Sequence, residues 1–439
     1  MKKSIYILVF GFSLFTTVLK GQEGLQVIPI TKAEVLNQVS ENNTSIKISE
    51  QEFLQAKADY RQTNAVFLPN ISISHTGIST TNPIMAFGSK LNQAIITTAD
   101  FDPNLLNNPD AITNFATKFE IQQPLINADG IYQRKAARSK VNVMALQTKR
   151  TSDYLIFEVE KSYMQLQLAY KAVDVLEKAL EAAKVNKKIA DNNFKQGYMQ
   201  RVDVLEVEVR VTEVKNQLQT AKSNVKNASN YISFLMNDSS QVILKPSDSL
   251  TISMLNIDNK TVSGNRADIK AMELASNAYK NMYKADKMAF LPRLNAFGSY
   301  ELYDNKIFQG DASGYLVGAQ LSWNILEGTK RFGKAQKSKA TYEKSKLKYE
   351  QYVSLSNLDL NKAKRMLIDA KNKFELTTLA LEQSKESLRI RTNRFKEGLE
   401  KTSDLLNAET QYAQKQLEYY QTIFEYNYAY AYLQFLTKE

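Results

Sequence analysis

Residues 395–406 read FKEGLEKTSDLL, and residues 194–205 read FKQGYMQRVDVL. In each stretch a Phe stands three residues before a Gly and an Asp stands six residues after it, and the copies are offset by 201 positions (395 minus 194). The tripeptide Phe-Leu-Pro also occurs twice, at 67–69 and at 290–292. Both halves therefore run through helix, Pro, alternating segment, very long helix, Gly turn and helix. A repeat of this length predicts one body built from two paired halves.

Two long stretches, 131–195 and 334–396, contain neither Pro nor Gly. Each can form one helix, which at 1.5 Å per residue would be roughly 95 Å long. Gly takes the left-handed conformation without steric penalty, so we predict that Gly197 and Gly398 end these helices and form tight hairpin tips. Ser403 is predicted to cap the helix after the second tip.

Large apolar residues recur every seven positions in both stretches, and mostly small residues stand between them. This spacing predicts left-handed coiled-coil packing with close helix approach. One position breaks the pattern, because Lys187 stands where the second half has Leu388. An intracellular two-stranded coiled coil would show the same spacing, but the N-terminus and the alternating segments described below argue against it. The large residues are Val159, Leu166, Val173 and Leu180, then Val353, Leu360, Leu367, Phe374, Leu381, Leu388 and Phe395.

Four segments alternate between apolar and polar residues and predict strands of about 10 residues in two hairpins. The loop of the first hairpin, 79–112, is long and contains three Pro, which is typical of an exposed functional or variable loop. The loop of the second hairpin is short. The predicted strands are about 70–78, 113–123, 293–304 and 314–323.

Two hairpins alone are marginally stable in water, and open strand edges favour aggregation. Several chains that pool their hairpins into a closed barrel would resolve both problems, and strands of this length with one apolar face suit an outer membrane. Trp323, Tyr315, Tyr300 and Tyr303 would then be membrane-interface aromatics. A small sheet that caps a helical bundle remains the alternative.

Residues 1–21 are expected to be a secretory signal peptide, with Lys2 and Lys3 before an apolar stretch too short to span a bilayer. The whole chain has 57 basic and 46 acidic residues, a net charge of +11. Removing the signal takes away Lys2, Lys3 and Lys20, which leaves 54 minus 46, or +8. Basic and acidic residues are interleaved, which indicates solvated helix faces rather than a nucleic-acid surface.

The chain has no Cys and one His, His75. A thiol nucleophile, a disulfide and a Cys-based zinc site are therefore excluded, and no pair of His is available to ligate a metal. No pair of acids stands out from the helical charge background, so a secreted enzyme that uses Asp and Glu alone has no support. We expect a first repeat at 22–237, a polar, irregular linker at 238–263 and a second repeat at 264–439.

The whole mature chain resembles the TolC-like outer-membrane efflux proteins. The resemblance rests on the duplicated halves, the Phe-Leu-Pro entry to each hairpin, the apolar pairs at 125–126 and 325–326, and the two Phe-x-x-Gly-x5-Asp tips. It implies a mainly α fold with a membrane β-barrel, in which a homotrimer forms a 12-stranded barrel in the outer membrane of a Gram-negative bacterium. An α-helical barrel of long hairpins would continue it into the periplasm.

The resemblance also implies function. Such proteins are passive exit ducts of tripartite efflux pumps or type I secretion systems, without catalytic activity or cofactor. Their partners are a periplasmic adaptor (membrane fusion) protein, an inner-membrane transporter and outer-membrane lipid. A periplasmic coiled-coil scaffold or adaptor-like protein is the alternative function.

In this family the second tip carries an acidic ring at the pore constriction. Asp404 matches the first ring acid, and Asn407 stands where some members have a second acid. Glu400 stands where a linking Arg occurs, which reverses the charge there, and the neighbouring Lys401 is expected to compensate.

Polar links hold the closed state in the family. Asp203 matches the link acceptor of the first half, Phe395 stands where a linking Tyr occurs, and Lys401 joins them as a candidate. The resemblance places adaptor docking at the two hairpin tips, where the candidates are Phe194, Gly197, Gly398 and Leu399.

Overall fold

A computed structural model of the protein describes residues 26–252 and 261–439, so the expected signal peptide at 1–21 lies outside the described residues. In chain order the elements are β1 (Val27–Ile30), α1 (Lys32–Asn42), α2 (Thr44–Gln62), β2 (Asn70–Thr80), α3 (Pro83–Asn92), α4 (Pro103–Asn107), β3 (Ile112–Ile126), α5 (Ala128–Lys195), α6 (Arg201–Met236), β4 (Ile243–Pro246), α7 (Ala267–Met288), β5 (Arg293–Asp304), β6 (Ala312–Ser322), α8 (Lys330–Lys396) and α9 (Thr402–Thr437).

The chain divides into two compact units, and the long helices contribute to both. Of the described residues, the first unit comprises 26–37, 162–251 and 379–424. The second comprises 38–161, 252, 261–378 and 425–439.

The two uninterrupted helices form as predicted, as α5 with 68 residues and α8 with 67. The seven-residue spacing is also confirmed. In the second unit, Leu360 and Leu367 of α8 pack against Leu433 of α9. In the first unit, Leu176 of α5 packs against Leu218 of α6. The broken position is explained too, because Lys187 pairs with Asp191 at 3.1 Å and with Glu208 of α6 at 3.4 Å.

A four-stranded antiparallel sheet with the order β2-β3-β5-β6 lies in the second unit. Its strands cover the four segments that the alternation predicted. β3 extends further than expected, to Ile126, and its register with β5 shifts between Pro124 and Ile126. Pro cannot donate a hydrogen bond to the neighbouring strand, so an irregularity at this point is expected.

The segment 238–263 was expected to be irregular, but it contains β4, which pairs in parallel with β1 in the first unit. The Tyr163 hydroxyl of α5 donates to the carbonyl oxygen of Ile30 at 3.0 Å and also bonds the carboxylate of Asp248. Both β1 and the linker are therefore held against α5.

The long loop after β2 is partly helical. α3 and α4 both begin with Pro, at Pro83 and Pro103, and each is capped by the preceding residue, Asn82 or Asp102. Pro suits the first helical position because no intrahelical bond is required of its nitrogen there.

A partly buried ionic cluster holds the C-terminal end of α9 in the second unit. Asp268 lies between Arg150, at 3.1 Å, and Arg266, at 2.7 Å, and accepts a hydrogen bond from Tyr352 at 2.7 Å. The two guanidinium groups donate onward to carbonyl oxygens of the last turn of α9, those of Phe435 and Leu436, at 3.2 and 3.0 Å.

Candidate functional site

The four-stranded sheet has one apolar face. Its register aligns Ile73, Phe119, Tyr300 and Tyr315 across the four strands. All four side chains are exposed in the single chain. Because side chains alternate along a strand, the residues directly before and after each of these four in its own strand lie on the other face.

The opposite face is polar. Lys118 of β3 lies 3.2 Å from Glu120 and 3.6 Å from Glu301 of β5. The hydroxyl of Tyr303 donates to the same Glu301 carboxylate. The sheet therefore offers an apolar surface on one side and a charged, hydrogen-bonding surface on the other.

This alternation corrects one of the four predicted interface aromatics. Tyr300 and Tyr315 pair directly on the apolar face. Tyr303 lies three residues from Tyr300 and therefore on the polar face, beside Glu301. Trp323 follows β6, keeps its ring exposed and donates from Nε1 to the carbonyl oxygen of Phe290 at 2.9 Å.

Among the described helices, none combines the length and apolar composition needed to cross a membrane. The described residues also contain no group of three or more acidic or His side chains arranged to hold a metal ion.

The two hairpin tips share one backbone geometry, which confirms the left-handed conformation predicted for their glycines. Gly197 has φ of 78° and Gly398 has φ of 71°. At the first tip the N–H groups of Gly197 and Tyr198 donate to the carbonyls of Phe194 and Asn193 at 3.0 and 2.9 Å. The second tip repeats both bonds, so each long helix ends in a Schellman motif.

The side chains at the two tips differ. Phe194 is 41% exposed, whereas Phe395, its counterpart in the repeat, is 5% exposed. Leu399 and Tyr198, which follow the two glycines, are strongly exposed. Of the predicted docking residues, Phe194 and Leu399 therefore present apolar surface to solvent.

An ion-pair cluster surrounds the second tip. Glu400, whose side chain is 11% exposed, lies 2.6 Å from Arg391 and 2.7 Å from Arg394. Asp404, whose side chain is 45% exposed, lies 3.9 Å from the same Arg391. The reversed charge at Glu400 is thus compensated by two Arg of α8, and the expectation that Lys401 compensates it is wrong.

The other residues predicted for the pore constriction and for the closed-state links lie in separate places. Asp203 accepts a hydrogen bond from the Gln200 N–H at 3.2 Å and so caps α6. Phe395 is buried, and the side chains of Lys401 and Asn407 are exposed. No hydrogen bond or ion pair within the described residues joins Asp203, Phe395 and Lys401.

The start of α9 also differs from expectation. This helix begins at Thr402, so Ser403 lies inside its first turn and does not cap it. The carbonyl oxygen of Lys401 accepts the first helical hydrogen bond, from the Leu405 N–H at 3.2 Å.

Arg391 and Arg394 are not among the site residues predicted from the sequence. Their spacing was a usable signal, because residues three apart near a helix end share a face that points toward the turn. An acid two residues after the terminal Gly, Glu400, is within reach of both.

The outer membrane efflux protein family matches residues 35–238 and 260–437, so the chain belongs to this family. The resemblance to TolC-like proteins is thereby confirmed. The assignment makes the chain an efflux protein of the outer membrane, extending into the periplasm. No curated protein matches the chain in sequence.

Solved structures show the same fold at low sequence identity. A membrane protein from Pseudomonas aeruginosa is 16% identical, with a TM-score of 0.82 over 92% of this chain and 93% of that one. The outer membrane protein VceC from Vibrio cholerae is 13% identical, with a TM-score of 0.79 over 92% and 95%. The CmeC outer membrane channel of Campylobacter jejuni is 15% identical, with a TM-score of 0.78 over 99% and 94%.

Proposed function

We propose that three copies of this chain form the passive exit duct of a tripartite efflux pump or a type I secretion system. The three sheets close into a 12-stranded barrel in the outer membrane, and the long helical hairpins continue the duct. The partners are a periplasmic adaptor and an inner-membrane transporter that supplies the energy. No catalytic step and no cofactor are assigned to the chain.

The sheet carries this proposal. Its order, β2-β3-β5-β6, leaves β2 and β6 as edges whose outer hydrogen-bonding groups have no partner strand within the sheet. Joining β6 of one copy to β2 of the next satisfies both edges, since a closed barrel has none. The apolar row then faces lipid, and the Lys118–Glu120–Glu301 cluster faces the lumen.

The tips are proposed to have two roles. The exposed Phe194 and Leu399, held by the turns at Gly197 and Gly398, form the adaptor-docking surface. Asp404 and Asn407 line the pore constriction, and Glu400 contributes to it as the partner of Arg391 and Arg394 rather than as a free charge. Asp203, Phe395 and Lys401 are retained as candidate closed-state link residues between copies.

Assembly is tested by membrane fractionation followed by mass measurement in detergent. We expect the protein in the outer-membrane fraction and a protein mass three times that of the processed chain. A monodisperse monomer without bound detergent would contradict the proposal. Recovery in the soluble periplasmic fraction would favour the coiled-coil scaffold instead.

A further inference from the structure

Three helices of the first unit meet close to the hairpin tips. Leu406 of α9 packs there against Ala190 of α5 and against Val204 and Val207 of α6. One turn further along each helix, the apolar contact gives way to polar side chains: Asn186 of α5, Arg210 of α6 and Glu409 of α9. Asn186 and Arg210 are each 7% exposed.

The hydrogen bonding of this polar layer is incomplete. The Asn186 amide donates to Oε1 of Glu409. The other carboxyl oxygen of Glu409, Oε2, and the Nε of Arg210 are both buried without a hydrogen-bond partner. The ion-pair contact of Arg210 is with Glu213, at 3.6 Å, and the Glu213 side chain is 57% exposed. A buried acceptor and a buried charged donor therefore lie in one layer, and neither is fully satisfied.

We propose that Glu409 is a proton-controlled link between α9 and the α5–α6 hairpin. In the structure the Asn186 amide of α5 donates to Glu409, a contact that both protonation states of the carboxyl group can make. Ionised Glu409 attracts Arg210 of α6, because Oε2 then accepts the hydrogen bond that Nε has available. The two protonation states thus favour different contacts of α9 next to the tips.

The direction of the pH dependence follows from burial. Burial raises the pKa of Glu409 to about 7, and this outweighs the opposing effects of the Arg210 charge and of the Asn186 hydrogen bond. Since the unfolded chain ionises near the model value of 4.5, the stability of this packing is full below that pH and falls as the pH rises through about 7.

Four other cations on the helices of this unit are already paired with acids. Lys187 of α5 pairs with Asp191 and with Glu208 of α6, and Arg201 lies 3.9 Å from the same Glu208. On α8, Arg391 and Arg394 are held by Glu400. The inference uses contacts within one chain and does not depend on the proposed trimer.

The test uses the full protein in detergent and two readouts. Because the chain has no native Cys, spin labels can be placed at T212C on α6 and T410C on α9, with labelled chains diluted by unlabelled ones. Pulsed EPR measures their distance at about pH 5.5 and about pH 8.5, between which a carboxyl with a midpoint near 7 changes from about 3% to about 97% ionised. Difference infrared spectroscopy follows the protonated carboxyl band of Glu409 over the same range.

We expect the carboxyl band to disappear with a midpoint near neutrality and the distance distribution to shift with the same midpoint. Glu409→Gln should abolish both changes and keep the pH 5.5 distance throughout. Glu418→Gln, on an accessible face of the same helix and paired with Lys415, is the control and should leave both unchanged. A Glu409 already ionised at pH 5.5, or a distance that stays constant while Glu409 titrates, would overturn the proposal.

Discussion

Arg391 lies 2.6 Å from Glu400 and 3.9 Å from Asp404, and so joins the end of α8 to the residues after the second hairpin turn and to the first turn of α9. The cluster of Arg391, Arg394, Glu400 and Asp404 contains two charges of each sign. A ring built from three such clusters would be much less negative than a ring of bare carboxylates. Cation selectivity at the constriction should therefore depend on Arg391 as well as on Asp404.

Arg391→Gln should raise the cation selectivity of the reconstituted channel, and Asp404→Asn should lower it, because each changes the local charge by one unit in opposite directions. The measurement is the reversal potential in planar bilayers under a salt gradient. Both effects should shrink at high salt, since screening shortens their reach from about 10 Å at 0.1 M to about 3 Å at 1 M. Equal reversal potentials for both variants at low salt would rule out this cluster as a determinant of selectivity.

Gly398→Val and Gly197→Val should each destabilise their hairpin tip. Neither glycine has another atom close enough to meet a new Cβ, so the penalty comes from the left-handed backbone, at about 1–2 kcal/mol or more for a β-branched side chain. Gly333→Ala is the matched control, because this site also has open space but lies within α8 without positive φ. It should stabilise the helix by about 0.5–1 kcal/mol.

The three variants are compared by their thermal unfolding and by their export activity. We expect both Val variants to lose export while the trimer still forms, and the Gly333→Ala variant to export normally. Full export by both Val variants would show that tip geometry is not required for coupling.

The two faces of the sheet can be distinguished with the single Trp of the chain, Trp323. In a chain that carries Trp323→Phe, the substitution Tyr315→Trp introduces a new single Trp. Its fluorescence should be quenched by brominated lipids, because position 315 lies on the apolar face. The fluorescence of the Trp introduced by Tyr303→Trp in the same background should be quenched little, because position 303 shares the polar face with Glu301. Similar quenching at both positions would contradict the assignment of the polar face to the lumen.

Asp268→Ala should destabilise the chain by up to about 3–5 kcal/mol, because it leaves the buried Arg266 and the half-buried Arg150 without their shared counter-charge. Asp174→Asn is the control, since its ion pair with Lys178 is exposed and should contribute less than about 1 kcal/mol. Denaturant unfolding in detergent compares the two. If Asp268→Ala lowers the free energy of unfolding no more than the control does, the cluster does not hold the end of α9.

The same cluster predicts sensitivity to acid. Burial alone would raise the pKa of Asp268, but hydrogen bonds from Arg266 and Tyr352 and the two Arg charges hold it below its usual value. Its contribution is therefore present above the unfolded pKa and is lost as the pH falls through the lower folded pKa. Asp268→Asn should flatten the acid limb of the stability profile, and an unchanged acid limb would rule this out.

The sequence was sufficient wherever structure depends on periodicity. The absence of Pro and Gly identified α5 and α8, the seven-residue spacing identified the residues through which they pack, and alternation identified the four strands of the large sheet. The sequence was insufficient where an element is formed by pairing with a segment that is distant along the chain. β1 and β4 are four residues each and are defined by pairing with one another, so neither has a pattern of its own.

The site shows the same division. The left-handed Gly197 and Gly398 were predictable because the requirement is local. The neutralisation of Glu400 was missed, because it depends on Arg391 and Arg394 reaching across a turn and only their spacing indicates it. Tyr303 was misplaced because the four aromatics were grouped by residue type, although counting alternation from Tyr300 would have separated it.

The backbone geometry of the first tip has a practical consequence. The turn is closed by main-chain hydrogen bonds and by the φ of Gly197, and the side chains of Tyr198 and Gln200 are exposed. Residues around Gly197 can therefore be exchanged as a cassette without rebuilding the hairpin. If the tips dock the adaptor as proposed, a segment grafted from another channel of this fold would change which pump the chain serves.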